Sequence, residues 1–307
     1  MSSSRLVNMK DKIRNYKYFV PLSYISFFVV AFFVFLFMTF PGDIVKQRII
    51  SEIQNSTPYK IDIKNADISP LLNVNLKGVK IYKSQNQFLE LDSLTIKPSL
   101  FSVFSDSPKV PFNAKLYGGE IKGAVRFNKQ KNSLQEIKVS IKQLKIDSIP
   151  DLISGDGSGE ILINGILSGE LYVEFDPVPK GEFSFEVKGL KIDNLKVKGM
   201  KLPSLGNLKS RFNGIIENKL TNIKELSVKG EGIDLQITGT APLLWEISKG
   251  GGILDLGYRI EITDNDLVKY KAFLSPYLAK YSDGSLGGKI VGTIKNPRFE
   301  KGSVKRF

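Results

Sequence analysis

From Tyr18 to Gly42 the chain carries no charged residue, and FVPLSYISFFVVAFFVFLFMTF (19–40) is apolar except for two Ser, one Thr, one Tyr and one Pro. A helix rising about 1.5 Å per residue over that length crosses a hydrocarbon core about 30 Å thick. The sequence therefore predicts a transmembrane helix over 18–42. Pro21 falls in its first turn, where a missing N–H does no harm, and Pro41-Gly42 marks its exit. The run is longer than the apolar region of a cleaved signal peptide and no small-x-small site follows it, so the expectation is an uncleaved anchor.

Charge orients that segment. Arg5, Lys10, Lys12, Arg14 and Lys17 precede it with only Asp11 to offset them, which assigns residues 1–17 to the cytoplasmic side and the bulk of the chain to the other. The whole chain is basic, at +13, and about +9 remains beyond residue 17. Those lysines alternate with strand periodicity and do not cluster with aromatics, so a nucleic-acid partner is not expected. With neither His nor Cys in the sequence, the commonest acid/base group, thiolate chemistry and the usual zinc sites are all missing. Carboxylates such as Asp255 and Glu261 fall among lysines and arginines on a wet strand face. No catalytic residue, metal or cofactor is expected, and the chain reads as a non-enzyme.

Beyond the apolar run, DIVKQRIISEIQNS predicts a juxtamembrane amphipathic helix (43–57), capped by Asp43, with Val45, Ile49, Ile50 and Ile53 on the face that packs against the first strands. After Thr57-Pro58 the period changes from 3.6 to 2. Tyr59, Ile61 and Ile63 alternate with Lys60, Asp62 and Lys64, and Gly78 precedes a change of register in the next strand. Alternation of this kind continues through 58–299, with separate candidate strands at 160–167 and 170–175, and at 182–187 and 190–197. A final strand over 289–295 is expected to stop at Pro297, leaving 300–307 as a basic tail. Leu254, Leu256, Tyr258, Ile260 and Ile262 form one dry face of the strand ILDLGYRIEIT, and Ile290 and Ile294 share a face in the last strand. Short connections such as Gly118-Gly119 and Gly250-Gly251-Gly252 imply antiparallel hairpins. Short helices are expected at 98–105, 148–154, 242–249 and 266–281, the last packing over an open end or edge.

GGEIKGAVRF (118–127), GSGEILINGILSG (157–169), IDLQITGTAP (233–242) and GSLGGKIVGTIKNP (284–297) repeat one design, a short strand, an in-strand glycine, more strand, and a turn. Glycines inside strands mark bends or close backbone approach, and a long coiling sheet needs them. The order of basic N-terminus, single span, FPGDIVKQRIISEIQ, KIDIKNADIS, LNVNLKGVKIY, LTIKPSLFSVFS, KLYGGEIKGAVRF and terminal GTIKNPRF resembles the GspN family of type II secretion proteins, and its close is similar to that of AsmA-like periplasmic proteins. The resemblance runs from about Arg14 to Phe299. It implies a mainly β protein, held in a bacterial inner membrane by one helix, whose long, curved, mostly antiparallel periplasmic sheet forms a groove or incomplete barrel. It also implies an accessory or structural role beside other secretion subunits, or a lipid-handling role in which phospholipid or another envelope lipid lies along the apolar strand face. A packed β-sandwich would show the same alternation.

Overall fold

The computed structural model describes residues 24–32, 34–35, 44, 46–47, 50–51, 54–55, 59–68, 73–83, 86–98, 105–130, 133–146, 162–194, 196–197, 200–201, 203–230, 232–243, 245–246, 252–264, 267–268, 278–294 and 296–301. Residues 24–32 and 34–35 are helical, and Tyr24, Phe27, Phe28 and Phe35 among them are exposed. No helix among the described residues is long and apolar enough to cross a membrane. Most of the 18–42 segment, Arg5, Lys10, Lys12, Arg14 and Lys17 lie outside the described residues. So do the expected helices at 148–154 and, for the most part, 98–105.

The rest is one open antiparallel sheet of 15 strands. Its strands follow one another as β1 (Tyr59–Ile68), β2 (Val74–Lys83), β3 (Asn86–Ile96), β4 (Lys109–Leu116), β5 (Gly119–Asn128), β6 (Ser133–Lys145), β7 (Leu162–Glu174) and β8 (Lys180–Asp193). A two-residue hairpin, β9 (Lys196–Val197) with β10 (Met200–Lys201), interrupts the meander before β11 (Leu205–Glu217), β12 (Leu220–Gly230), β13 (Ile233–Pro242) and β14 (Ile253–Ile262). Then come β15 (Ala279–Lys280), β16 (Leu286–Thr293) and β17 (Asn296–Glu300), and both β15 and β17 pair with the outer side of β16. Nearly every neighbour in the sheet is therefore also a neighbour in sequence, as short turn-rich connections dictate.

Among the described residues, each pair of elements in substantial contact is a pair of hydrogen-bonded strands. Among the described residues the β9–β10 hairpin is the one strand pair outside the large sheet, and no second large sheet packs on the first as a sandwich would require. The topology also corrects several local expectations. The candidates at 160–167 and 170–175 are, from Leu162, a single strand, β7, and 182–187 runs on through Leu190 to Asp193 in β8, while 196–197 belong to the separate β9. Gly169 and Gly189, which fall between those separate candidates, lie within strands. Pro297 does not stop the last strand but lies inside β17, opposite Gly292. Of the expected helix at 266–281, the described part is helical only at 267–268, where Asp264 caps the N–H of Leu267 at 3.2 Å, and residues 279–280 are strand. The segment at 242–249 begins as the end of β13 and continues into a turn closed by the N–H of Glu246 on the carbonyl of Leu243.

Burial follows the alternation. In β1, Ile61 and Ile63 are buried while Lys60, Asp62 and Lys64 are exposed. The apolar positions then change parity in step across three strands, between Ile63 and Ala66, Val79 and Leu76, and Leu91 and Leu94. Gly78, at φ +59°, sits in the middle of this line, a left-handed conformation that glycine adopts without steric cost. The wet face carries directly opposed charges, Lys80–Glu90 at 3.8 Å, Arg126–Glu136 at 3.4 Å, Lys180–Glu174 at 3.2 Å and Lys229–Asp234 at 3.2 Å. Each exposed pair contributes at most about 1 kcal/mol, so their main effect is on register.

The in-strand glycines have a common neighbour. Phe112 lies opposite Gly123, Phe185 opposite Gly169, Phe183 opposite Gly214 and Tyr258 opposite Gly288. In each pair the ring occupies the space a β-carbon on the glycine would need. At Gly123 that carbon would stand 2.6 Å from Phe112 Cζ and 2.5 Å from the carbonyl oxygen of Lys138. Gly123→Ala is therefore expected to destabilise the fold by about 1–3 kcal/mol, because a backbone oxygen has to move. Gly206→Ala, with nothing within 4 Å of the added carbon, should change stability by no more than about 0.5 kcal/mol. Urea denaturation of the two variants beside the parent checks the contrast.

Candidate functional site

Register brings one kind of residue into line across the sheet. Starting at Ile68 in β1, successive cross-strand partners are Val74, Ile96, Phe112, Gly123, Val139, Leu171, Phe183, Gly214, Ile223, Gly239, Leu256, Ile290 and, in β17, Phe299. No polar residue interrupts this row of fourteen. Beside it from β1 to β16 runs a second row of direct cross-strand partners, Ala66, Leu76, Leu94, Ala114, Ile121, Ile141, Gly169, Phe185, Phe212, Leu226, Ile237, Tyr258 and Gly288, two residues along each strand except in β12, where a bulge makes it three. Together they make an apolar strip at right angles to the strands. At a strand spacing of about 4.8 Å, its thirteen steps extend about 60 Å along the sheet.

A strip of this size inside a sandwich would be dry. Here Val139, Leu171, Phe185, Phe212, Leu226, Ile237, Leu256 and Ile290 are all partly exposed, and among the described residues no second large sheet covers them. The aromatic rings do not stand up from the strip. Phe183, Phe185 and Phe212 pack on one another with centroids 4.6–6.5 Å apart, and two of them fill the space above a glycine. The floor is consequently shallow and nearly free of polar atoms.

Two segments roof parts of it. Near β1, Ile50 of the expected amphipathic helix packs on the cluster of Ile61, Ile63, Leu76, Val79 and Leu91, while Lys46 Nζ donates to the carbonyl of Lys64 at 3.3 Å. That contact agrees with the expectation that this helix rests on the first strands. Val45, Ile49 and Ile53 lie outside the described residues. The chain leaving β13 folds back across the same face. Leu243, 2% exposed, packs with Val173, Phe183 and Ile216, and Trp245 meets Phe175 at 5.3 Å between centroids. Nothing in the sequence reading anticipated Trp245 in this place; its signal was that the chain's single Trp follows a strand-ending Pro-Leu-Leu. A third segment lies where the chain leaves β14, where Leu267 is buried outside the core clusters that include strip residues.

The residues singled out from sequence fall on this face. Leu254, Tyr258 and Ile262 are buried, Leu256 and Ile260 partly so, and Leu256, Ile290 and Ile294 pack on a cluster of Ile223, Ala241 and Leu254. The sequence grouped residues within single strands and missed the rows, since a row exists only once register is known. Asp255 and Glu261 are exposed on the other face, and Lys289 reaches Asp255 at 3.9 Å. Among the described residues no cluster of acidic side chains could hold a metal ion. A polar depression on the wet face, lined by Lys115, Glu120 and Lys142, is broad and open, and Glu120 there is held below its ordinary pKa by hydrogen bonds from Lys122 and Asn113.

The one polar atom in the two rows is the hydroxyl of Tyr258. It is buried over Gly288 against Phe299, without a hydrogen-bond partner among the described residues, and burial raises its pKa. Comparison of the chain with protein-family models, curated proteins and solved structures finds no match in any of the three.

An unpaired buried hydroxyl costs free energy that a phenyl ring does not. Tyr258→Phe should therefore be neutral or stabilising by up to about 1 kcal/mol. The pH dependence has a definite sign. Because the folded-state pKa lies above the unfolded one, the neutral phenol's share of stability is complete below the unfolded value near 10 and is lost as pH rises through the folded value. Denaturation curves between neutral and strongly alkaline pH should show the parent losing stability that the Phe variant keeps.

Proposed function

We propose that this chain is a non-catalytic, membrane-tethered protein whose sheet holds the acyl chains of a lipid along its apolar strip. The observation that carries the reading is exposure: two apolar rows run the width of one sheet, and among the described residues Val139, Leu171, Phe185, Phe212, Leu226, Ile237, Leu256 and Ile290 stay partly exposed between the segments that cover the rest. Soluble proteins rarely leave contiguous apolar surface of that extent in water without a ligand or partner for it. A long, narrow, featureless strip suits a long, narrow, featureless ligand. Polar substrates would need directional groups, and the strip offers one hydroxyl, which is buried.

The tether is the uncharged 18–42 segment, with the basic residues before it on the cytoplasmic side and the sheet in the periplasm of a bacterial inner membrane. A sheet of this many strands twists and coils, which would turn the strip into a half-pipe. The resemblance to GspN proteins supports a second reading, an accessory or bracing role beside type II secretion subunits. The wet face favours it to the extent that its lysine-rich strands could select acidic partners. The two are compatible, since a lipid-filled sheet can also dock on a neighbour.

Full-length protein purified in mild detergent is expected to carry phospholipid, detected by extraction and mass spectrometry at levels above those of an unrelated membrane protein treated alike. Ile260→Asp places a charge at the partly exposed edge of the strip and should remove most of that lipid while leaving the circular dichroism spectrum intact. Lipid at the control level in the parent would refute the reading. Global unfolding of the variant would instead mark Ile260 as part of a packed core. A reporter fused after Phe307 should be active if it requires the periplasm and inactive if it requires the cytoplasm.

A further inference from the structure

The two edges of the sheet differ. β1 is overlaid by the segment bearing Lys46 and Ile50, but all five residues of β17 are exposed, and Phe299, the last member of the long row, is 64% exposed. Exposed edges are commonly protected by proline or by charge. β17 has both, in an arrangement that fits a partner of one particular kind.

Pro297 pairs with Gly292, and because proline has no N–H, its nitrogen must face away from β16. Alternation then turns the backbone groups of Phe299 and Lys301 outward as well, while Asn296, Arg298 and Glu300 bond to β16. If an identical strand is laid antiparallel along this edge about a two-fold axis at Phe299, the two Phe299 residues exchange two hydrogen bonds. Each Lys301 N–H also meets the carbonyl of Pro297 in the other copy, where only an acceptor is needed. On the wet face, Arg298 of each copy falls opposite Glu300 of the other. The sequence Arg-Phe-Glu is thus self-complementary in charge about its centre.

We propose that β17 pairs with β17 of a second copy of this chain, in an isologous contact centred on Phe299. The apolar row then continues across the seam from Phe299 to Phe299, joining two sheets into one. The contact is short compared with a standard protein interface, so the pair is transient and is best detected by trapping. It depends on the sheet edge and stands whether or not the strip holds lipid.

The chain has no cysteine, so a single introduced thiol reports one position. Paired Cα atoms about 5.5 Å apart lie within disulfide reach. In full-length protein in mild detergent, Phe299→Cys should form a disulfide dimer at least about tenfold faster than Ile253→Cys, which is 70% exposed and away from this edge. In the same background Arg298→Glu and Glu300→Arg should each slow the reaction about tenfold, and the double reversal should restore it. With Phe299 retained, native mass spectrometry should give the same order of dimer fractions for the parent, the two single reversals and the double. Equal oxidation rates at positions 299 and 253, indifference to either reversal, or failure of the double reversal to restore the dimer would overturn the proposal.

Discussion

Register governs this fold. A single-layer sheet has no second layer to tell a strand which face is inside, so each strand takes its orientation from the strand before it. Slipping one strand by one residue would send its apolar side chains to the wet face and reverse every partner. The long row from Ile68 to Phe299 shows the register held through thirteen successive pairings. Opposed charges on the other face, such as Arg126 with Glu136 and Lys229 with Asp234, penalise the same slip from the other side.

Glycine and aromatic residues have to be understood together. Gly123, Gly169, Gly214 and Gly288 would weaken their strands if each stood alone, but the ring across from each fills the missing volume. The exchange keeps van der Waals contact dense while keeping side chains low. A sandwich core would use the reverse arrangement, with large side chains reaching up into the facing layer. Flat rings over glycines suit a surface that remains a surface.

The sequence made the class legible because period-2 alternation is written residue by residue, and ILDLGYRIEIT appears as one strand with one dry face. The in-strand glycines were legible as a repeated device, although strands broken at Gly169 and Gly189 turned out continuous, because glycine signals a turn and a bulge alike. Pro297 misled for a similar reason. Its nitrogen faces outward, a condition set by pairing with Gly292 that the sequence of β17 alone cannot reveal. A single long sheet is the expectation from many hairpins with few helices to cover a face, but the rows and the fold-back of Leu243 and Trp245 were not legible at all. Each depends on residues distant in sequence, and alternation is identical for a strand in a sandwich and a strand in an open sheet.

The near uniformity of the strip has a kinetic consequence. A flexible apolar chain lying on its uncovered part would meet much the same floor from strand to strand, and no accessible side-chain hydrogen-bonding group distinguishes one position there from the next. Its free energy changes little as it moves, so it slides along the sheet more easily than it leaves. If the strip holds an acyl chain, as proposed, its surface alone specifies no stopping place.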